Sequence, residues 1–572
     1  MKHTIKKIAT IVCLLLIIFL ASVPPAVWCE NRIAICFEEK ANEFETKNIF
    51  DTYKVTFTNQ KILLICCVIT LILVLFVLDI YFTIKKAKIE NKGIKFKTED
   101  GTFGTANWMN ETELEESFEV GTEDGIVVGK IEDKIITLPN NTRHNKNIAV
   151  FGASGSKKSR GFVIPNILNL AEQGNTKEGK SMILTDPKGE LYKKTYTFLK
   201  NKGYNVRILN LVDMDKSDRW NPFSVIEDEI DAQIFSEIVI ENTQLDKTKG
   251  QDEFWSRTGQ NLLKALVLGQ IELLKNPEER SMSKIYNTLS TGDIKAIDRY
   301  FVNIRGPGRM SYNIYAQATD VVKQSVVTGL ATRLQIFQTK KVRQITDKSD
   351  IDLKLPGKEK CAYFCVTSDM DSTFDFIAGL FFSFLFIKLI RLADSNPSGK
   401  LDVETYFLLD EFPNIGKIPD FEKKLSTMRS RGVNTSIIFQ SIAQLKNRYP
   451  NDVYQEILGN CDTKICLGCS EMMSSEYVSK LLGASTVETS TVKKERGFDG
   501  NFTYGMDSIG TTKRNLLNPD EIVQLDNTKE IVILRGKKPL MCDKFDYSEH
   551  RLASDLKLLD DSYMPEWRNG EK

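Results

Sequence analysis

The stretch that most constrains the fold of this chain is GASGSKKSR, residues 152–160. It is preceded by the short apolar run NIAVF (147–151) and followed by GFVIPNILNLAEQG (161–174), which has a helical pattern although it contains Pro165. Phosphate-binding loops of the pattern G-x-x-x-x-G-K-[ST] occur between a strand and a helix in this order. The chain is therefore predicted to contain an α/β domain with a phosphate-binding turn at the end of a strand.

The stretch fits the phosphate-loop pattern at Gly152, Lys158 and Ser159 but has Lys157 in place of the second glycine. In such a loop the backbone N–H groups surround the phosphates, and the following helix contributes a favourable dipole. Lys158 is expected to reach the β- and γ-phosphates of ATP, and the hydroxyl of Ser159 to hold Mg²⁺. The residues predicted to bind the nucleotide are Gly152, Ala153, Ser154, Gly155, Ser156, Lys157, Lys158 and Ser159. The alternative is a glycine-serine turn with two solvated lysines.

Two carboxylates end a second apolar run, TYFLLDE (405–411). Four hydrophobic residues in a row are typical of a buried parallel strand, whose carboxyl end brings Asp410 and Glu411 to the edge where ligands bind. Asp410 is predicted to hold magnesium through its water shell, and Glu411 to orient and polarise the attacking water. The alternative is an acidic loop after any buried strand, which the upstream phosphate-loop pattern disfavours.

The segment RGVNTSIIFQS (431–441) predicts another short strand, which ends in Gln440. A glutamine at that position can sense the γ-phosphate or the attacking water by hydrogen bonding. The preceding segment FEKKLSTMRSR (421–431) predicts a basic amphipathic helix. Arg429 or Arg431 is a candidate arginine finger that would act on the nucleotide of a neighbouring subunit. The alternative is a solvated basic helix face.

A further strand is predicted in SMILTDPKGELY (181–192), followed by a turn that begins at Asp186. Strands that alternate with helical patterns are typical of a mostly parallel sheet covered by helices on both faces. The fold class predicted for the body of the chain is therefore α/β.

Two apolar runs near the amino terminus, residues 8–28 and 62–82, have the length of membrane-spanning helices, which take roughly 20 residues. Lysines precede the first run (Lys2, Lys6 and Lys7) and follow the second (Lys85, Lys86 and Lys88). This charge distribution places both ends in the cytoplasm and residues 29–61 outside. The predicted localisation is the cell membrane, with two passes and a large cytoplasmic carboxyl-terminal domain. The alternative for the first run is a cleaved signal peptide.

A third apolar run, FDFIAGLFFSFLFIKLIRLAD (374–394), contains Asp375, Lys388 and Arg391. These charges, and its position among the strands of the α/β body, favour a buried helix over a third membrane span.

Three cysteines, Cys461, Cys466 and Cys469, form the only tight cysteine cluster of the chain. Three thiolates can bind zinc, but no second pair or nearby histidine completes a common ligand set. Small buried residues on and beside a strand are the favoured interpretation. A disulfide between Cys29 and Cys36 is compatible with the extracellular position of residues 29–61.

The formal net charge of +1 excludes a polycationic chain, so any nucleic-acid surface must be a local patch. Basic segments occur at TKKVR (339–343) and RGKK (535–538). A single basic segment is more often a solvated surface than a nucleic-acid site. In a ring of subunits, however, a few lysines per chain would line a pore with positive charge.

Several motifs in the same order resemble those of type IV secretion coupling proteins, the TraG/TraD-type conjugative ATPases related to FtsK. The resemblance covers the chain from about residue 100 onward. It rests on GTFGTANWMNETEL (101–114), GASGSKKSR (152–160), TDPKGELY (185–192), DRWNPF (218–223), FLLDEFPNIG (407–416), IIFQSIAQL (437–445), ILGNCDTKICLG (457–468) and RNLLNPDEI (514–522).

The resemblance implies a P-loop NTPase with a RecA-like sheet that uses ATP and Mg²⁺. It also implies recruitment of relaxase-bound single-stranded DNA or secreted proteins to a type IV secretion channel and its other ATPases. It further implies a membrane-bound homo-hexamer with nucleotide sites between subunits. Matched residue by residue, Lys158 and Ser159 correspond to the phosphate-loop pair, Asp410 to the metal-binding carboxylate, and Glu411, Gln440 and Arg429 to the catalytic groups.

The predicted domains are a membrane anchor (1–90), two parts of the nucleotide-binding domain (91–227 and 351–550), an inserted all-α domain (228–350) and a polar tail (551–572). Two alternatives to an ATP-driven coupling protein remain. One is a nucleotide-binding substrate receptor or scaffold with little hydrolysis, which Lys157 favours. The other is an FtsK-like double-stranded DNA pump, which the short anchor disfavours.

Overall fold

The computed structural model describes residues 21–29, 49–90, 96–97, 101–173, 179–243, 252–368, 370, 372–496 and 502–569. The chain forms two compact units. The first comprises residues 1–96 and 490–509, and the second comprises residues 97–489 and 510–572.

The first unit contains a helical stretch at 21–29 and the helices α1 (Ile49–Thr58) and α2 (Gln60–Glu90). The hydroxyl of Ser22 lies 2.8 Å from the hydroxyl of Thr70, and both side chains face the region where the two helical stretches pack. The end of the first apolar run therefore packs along the second. Residues 1–20, on which most of the first predicted span and the signal-peptide alternative fall, lie outside the described residues, as does Cys36 of the suggested disulfide.

The second unit is built on a sheet of twelve strands. Two longer strands, of which residues 490–509 belong to the first unit, form a separate pair. The strands are β1 (Glu119–Val120), β2 (Ile126–Ile131), β3 (Lys134–Leu138), β4 (Ile148–Phe151), β5 (Ser181–Thr185), β6 (Asn205–Asn210), β7 (Cys361–Val366), β8 (Thr405–Leu409), β9 (Val433–Phe439), β10 (Thr463–Cys466), β11 (Ala484–Arg496), β12 (Phe502–Asn515), β13 (Lys529–Leu534) and β14 (Leu540–Asp543). The order in the large sheet is β1-β3-β2-β14-β13-β10-β4-β9-β8-β5-β7-β6, and β11 pairs with β12.

Seven neighbouring strands of the large sheet, from β10 through β4, β9, β8, β5 and β7 to β6, run parallel. Every residue of β4, β5, β7, β8 and β9 is buried, as expected for strands covered on both faces. The remaining strands pair antiparallel on the β10 side. The predicted α/β class with a mostly parallel sheet is confirmed.

Helices cover the sheet and fill the long connection between β6 and β7. They are α3 (Glu111–Ser117), α4 (Ile164–Glu172), α5 (Glu190–Asn201), α6 (Glu229–Asn242), α7 (Asp252–Leu273), α8 (Met282–Ser290), α9 (Ile294–Tyr300), α10 (Pro307–Ala316), α11 (Asp320–Arg333), α12 (Lys340–Thr346), α13 (Asp375–Ser395), α14 (Phe421–Met428), α15 (Ile442–Arg448), α16 (Val453–Gly459), α17 (Met472–Leu482), α18 (Pro519–Val523) and α19 (Glu566–Asn569). The connection from β6 to β7 holds α6 to α12 and, in its described part, no strand.

The third apolar run forms α13, which by length and composition alone could cross a membrane. Of its most apolar stretch, 78% is buried within the protein. Phe386 stacks on Phe407 of β8 with ring centroids 4.1 Å apart, and Phe381 meets Trp220 edge to face. The prediction of a buried helix that covers the sheet is confirmed.

The described part of the carboxyl-terminal tail packs against the α/β body. The indole N–H of Trp567 donates to the carbonyl oxygen of Ser217 at 2.9 Å, and the hydroxyls of Tyr563 and Tyr196 are 2.6 Å apart. Only the polarity of this tail was apparent from the sequence, because two aromatic residues in a polar segment do not identify their distant partners.

A charged cluster lies at the amino-terminal edge of the parallel strands. The carboxylate of Glu404 accepts hydrogen bonds from Lys146 at 3.0 Å, Lys180 at 2.5 Å and Asn434 at 2.8 Å. Burial raises the pKa of Glu404, but the charges of Lys146 and Lys180 outweigh burial and lower it to about 2. The ionised carboxylate therefore stabilises the fold, because without it two lysines would lack their counter-charge.

We expect Glu404→Gln to lower the free energy of unfolding at pH 7 by about 3 kcal/mol, because that is the free energy that corresponds to a pKa lowered from 4.5 to about 2. A depressed pKa contributes stability above the unfolded value, and this contribution is lost as the pH falls from about 4.5 to about 2. Urea unfolding at pH 7 and pH 3 measures this contribution to stability. The control is Glu359→Gln, because the Glu359 side chain is exposed. Equal pH dependence in the wild type and Glu404→Gln would contradict the prediction.

Candidate functional site

The polar groups singled out in the sequence follow four adjacent parallel strands. The strand order β4-β9-β8-β5 brings their carboxyl ends to one edge of the sheet. The residues that follow these strands are Gly152 after β4, Gln440 after β9, Asp410 and Glu411 after β8, and Asp186 after β5.

The glycine-rich loop is fastened to both strands that flank β4. Gly152 N donates to the carbonyl oxygen of Phe439 on one side, and Ala153 N donates to that of Gly468 on the other, each at 3.2 Å. A Cβ atom at Gly152 would lie 2.5 Å from Ser156 Oγ and 2.8 Å from Leu467 Cβ. The first glycine of the pattern is therefore required by the close approach of neighbouring atoms.

The departure at Lys157 falls on a backbone position that favours glycine. Lys157 has a φ of 69°, in the left-handed region, and its side chain is exposed. Left-handed geometry costs a residue with a Cβ roughly 1–2 kcal/mol. Lysine thus adopts the conformation of the glycine it replaces, and the loop keeps its path under strain.

The chain continues from the loop into a π turn, Ser159–Val163, before α4 begins at Ile164. Such turns are often found at functional sites. Pro165 is the second residue of α4, and proline is tolerated at the start of a helix. This position explains why the proline is compatible with the predicted helix.

The side chain of Lys158 is buried at the site. Its Nζ donates to the carbonyl oxygen of Gly152 at 3.0 Å and lies 3.6 Å from a carboxylate oxygen of Glu411. The ammonium therefore lies between the glycine-rich loop and the acidic residues that follow β8.

Ser159 and Asp410 meet directly. The hydroxyl of Ser159 donates to Asp410 Oδ2 at 2.6 Å, and the hydroxyl of Thr185 donates to the main-chain oxygen of Asp410 at 2.5 Å. Burial raises the pKa of Asp410, and the bond from Ser159 opposes this shift. A hydroxyl and a carboxylate on adjacent elements are the oxygen ligands that Mg²⁺ accepts while it keeps waters and binds phosphates. The residues present therefore fit the predicted magnesium site.

Glu411 and Gln440 also come together. The side-chain amide of Gln440 lies 3.3 Å from each carboxylate oxygen of Glu411. Glu411 has a φ of 51°, a conformation that is rare outside glycine and clusters at functional sites. The main-chain N–H of Gln440 is in turn held by the side chain of Gln444 at 3.1 Å.

Arg429 is the one predicted site residue that lies away from these groups. It begins the turn Arg429–Arg431, which precedes β9 at its amino end, whereas the loop follows the carboxyl end of the parallel neighbour β4. The Arg429 guanidinium donates to the carbonyl oxygen of Arg143, and Arg431 pairs with Asp394 at 2.6 Å. In this chain, Arg429 thus lies at the opposite edge of the sheet from Lys158.

The site also includes Asp186, to which we assigned no role from the sequence. Its carboxylate accepts a hydrogen bond from the main-chain N–H of Tyr192 at 2.8 Å. Burial, reinforced by the charge of Asp410, raises the pKa of Asp186 to about 6. The position of Asp186 at the site could have been predicted from the sequence, because Asp186 follows the apolar run of β5 just as Asp410 follows that of β8.

The clustered cysteines are buried on and beside β10. Cys466 Sγ lies 3.5 Å from Cys469 Sγ, while Cys461 Sγ contacts the carbonyl oxygen of Ile457 at 3.4 Å. Burial raises the pKa of Cys461 to about 12, so this thiol stays protonated. These features agree with small buried residues rather than a thiolate zinc site.

Each of the two basic segments contains a lysine that is paired with an acidic group of the same chain. Lys341 lies 2.6 Å from Asp215, and Lys538 lies 2.7 Å from Glu113. The charges of these two lysines are therefore partly neutralised within the chain.

We expect Lys157→Gly to raise the free energy of unfolding by about 1 kcal/mol, because relief of left-handed strain exceeds the entropy that glycine adds to the unfolded chain. Lys157→Ala, which removes the charge but keeps the Cβ, should show no such gain. Urea unfolding of both variants beside the wild type measures the difference. Equal stabilities of Lys157→Gly and Lys157→Ala would show that the backbone at this position is unstrained.

Comparison with known proteins places these features in a family. The family model for Type IV secretory system Conjugative DNA transfer matches residues 97–563. Protein VirD4 of Rhizobium radiobacter is 26% identical over 419 residues, which cover 70% of this chain and 56% of VirD4. Conjugal transfer protein TraG of Escherichia coli is 23% identical over 441 residues, which cover 72% of this chain and 66% of TraG. The chain thus spans between about half and two thirds of these relatives.

Among solved structures, the plasmid coupling protein TrwB in complex with ADP and Mg²⁺ superposes with a TM-score of 0.58 at 16% identity. The superposition covers 78% of this chain and 96% of the TrwB chain, so the two share a fold. The resemblance to coupling proteins that the motifs indicated is confirmed by the family match. This chain belongs to the Type IV secretory system Conjugative DNA transfer family.

Proposed function

We propose that this chain is a membrane-anchored ATPase, a coupling protein that recruits relaxase-bound single-stranded DNA or secreted proteins to a type IV secretion channel and drives their transfer by ATP hydrolysis. The observation that carries the proposal is the 2.6 Å hydrogen bond between Ser159 Oγ and Asp410 Oδ2. It joins the phosphate-loop hydroxyl to the acidic strand end, as a RecA-like P-loop NTPase site requires. TrwB, which shares the fold, has been solved with ADP and Mg²⁺ and with the ATP analogue ADPNP.

The loop residues bind the nucleotide in this proposal. The main-chain N–H groups between Gly152 and Ser159 surround the phosphates, and Lys158 exchanges its bond to Gly152 O for a phosphate oxygen. Ser159 and Asp410 would hold Mg²⁺, directly and through water. When bound, Mg²⁺ neutralises charge on the β- and γ-phosphates.

Glu411 and Gln440 act on the attacking water. Glu411 is the base-like group that orients the water and accepts its proton, and Gln440 holds the Glu411 carboxylate through bonds of 3.3 Å to both oxygens. Gln440 follows β9 and is bound by Gln444, so in this proposal it transmits the loss of the γ-phosphate to both.

The membrane anchor is supported by the first unit. Apolar side chains of α2 are exposed, namely Leu64, Val68, Leu71, Ile72 and Leu75. The opposite side of α2 carries Cys66 and Thr70, which meet Ser22. We infer a pair of membrane helices whose outward faces contact lipid, with both chain ends in the cytoplasm.

A ring explains the position of Arg429. If subunits assemble head to tail, the amino-terminal edge of the sheet in one subunit can face the loop of the next, where Arg429 would stabilise charge on the γ-phosphate. We propose a homo-hexamer with the helical insert α6–α12 facing the substrate and the other channel components, including their ATPases.

Phosphate release from ATP by the full-length protein in detergent tests the proposal when measured alone, with circular single-stranded DNA, and with linear double-stranded DNA. We expect turnover that single-stranded DNA stimulates several-fold more than double-stranded DNA does. Nucleotide binding without turnover in all three conditions would favour a receptor or scaffold instead. Stronger stimulation by double-stranded DNA would favour an FtsK-like pump.

A further inference from the structure

Lys544, which directly follows β14, is buried beneath the glycine-rich loop, with 5% of its surface exposed. Its ammonium donates three hydrogen bonds: to the carbonyl oxygens of Ser156 at 3.1 Å and Leu467 at 2.6 Å, and to Asn527 Oδ1 at 3.0 Å. The main chain of Lys544 is itself fixed by a bond from its N–H to the carbonyl oxygen of Thr528 at 2.8 Å. One lysine therefore ties the loop to two other segments of the domain.

The Ser156 carbonyl belongs to the peptide that immediately precedes Lys157. A trans peptide is planar, so holding its carbonyl toward Lys544 turns the Lys157 N–H to the opposite side. The direction of this N–H matters, because phosphates bind to successive N–H groups of such a loop. Lys157, with its φ of 69°, directly follows this peptide, so the strained residue adjoins the carbonyl that Lys544 holds.

The second contact of Lys544 lies under the same loop. Leu467 precedes Gly468, whose carbonyl oxygen accepts the Ala153 N–H at 3.2 Å. The ammonium thus joins the loop at Ser156 to the segment that already binds it at Ala153. Burial lowers the pKa of Lys544, while the nearby Glu530 carboxylate opposes that shift. Three oxygen acceptors around one buried ammonium indicate a built contact rather than a chance approach.

We propose that Lys544 is a positioning residue of the phosphate loop: it holds the peptide before Lys157 in the orientation that binds phosphate, and so offsets the strain of a lysine at a glycine position. The inference rests on the proposed nucleotide site and adds a residue outside every motif of that site. With glycine at position 157, the same backbone carries no Cβ strain, so the loop conformation depends less on the hydrogen bonds of Lys544.

A double-mutant cycle on the full-length protein tests this coupling. Dissociation constants for a fluorescent ATP analogue with Mg²⁺, together with kcat and KM for ATP, are measured for Lys544→Met in the wild-type and Lys157→Gly backgrounds. We expect Lys544→Met to weaken binding about tenfold in the first background, comparable to the left-handed strain of 1–2 kcal/mol, and about twofold or less in the second. The loss should appear in KM more than in kcat.

Two further variants separate positioning from general stability. Lys544→Arg, which keeps a cation with several donors, should recover binding to within about threefold of the wild type. Lys464→Met is the matched control, because Lys464 is a half-buried lysine that donates to the Cys461 carbonyl oxygen at 2.7 Å away from the loop. If Lys544→Met does not fold, Lys544→Gln is compared in the same two backgrounds.

The outcomes distinguish the two proposals. Equal losses in both backgrounds, no loss in either, or an equal loss in Lys464→Met would overturn the positioning role of Lys544 while leaving the nucleotide site intact. A wild-type protein that binds no nucleotide would overturn the proposed function, and the role of Lys544 with it.

Discussion

Replacing Glu411 with glutamine is expected to slow ATP hydrolysis by about two to four orders of magnitude while the affinity for Mg·ATP changes only a few-fold. Glutamine keeps the size of the side chain and one acceptor oxygen but cannot accept a proton from water. Gln440 holds both carboxylate oxygens at 3.3 Å, and Lys158 lies 3.6 Å away, so the carboxylate is oriented before substrate binds. The loss should therefore appear in kcat.

The measurement is steady-state phosphate release over a range of ATP concentrations, with binding of the fluorescent analogue determined in parallel. Glu456→Gln, on the exposed face of α16, is the matched control and should retain wild-type rates. Unchanged kcat in Glu411→Gln would remove Glu411 from the chemical step. A parallel loss of nucleotide affinity would assign it to binding instead.

Arg429→Ala is expected to reduce turnover by about three orders of magnitude in the assembled ring, the effect of removing an arginine finger. Arg429 lies at the opposite sheet edge from the loop of its own subunit, so the effect requires a neighbour. Mixing Arg429→Ala subunits with Lys158→Ala subunits should therefore restore activity. With random mixing in equal amounts, about a quarter of the interfaces combine an intact loop with an intact arginine.

Arg431→Ala provides the control for this experiment. Arg431 lies in the same turn, but its guanidinium is bound to Asp394 at 2.6 Å, so we expect a structural role and turnover within a few-fold of the wild type. If mixed Arg429→Ala and Lys158→Ala subunits stay inactive while each assembles normally, Arg429 does not act across an interface. A loss in Arg431→Ala that complements Lys158→Ala would identify Arg431 as the finger.

The sequence was most informative where a buried strand ends in polar residues. The residues directly before Gly152, Asp410 and Gln440 are apolar (IAVF, YFLL and IIF). Parallel strands carry their carboxyl ends to one edge, so the meeting of these residues could be predicted. The apolar helix α13 was separable from a membrane span because Lys388 and Arg391 require buried partners, and both bind Asp231.

Other parts of the site depend on long-range pairing that no local pattern encodes. Lys544 reaches the loop only because β14 pairs with β13, β13 with β10, and β10 with β4. Its surroundings in the sequence, CDKFDY (542–547), contain no motif. The return of the carboxyl-terminal tail to Ser217 through Trp567 is likewise a tertiary contact between distant residues.

The proposed function requires that the loop, with Lys157 at its glycine position, support ATP hydrolysis. The most direct test is the rate of phosphate release from Mg·ATP by the full-length wild-type protein beside Lys158→Ala in the same detergent. We expect measurable turnover in the wild type and a rate at least about 100-fold lower in Lys158→Ala, since the ammonium stabilises charge on the transferring phosphate. No turnover in either protein, or equal rates in both, would show that this loop does not support ATP hydrolysis.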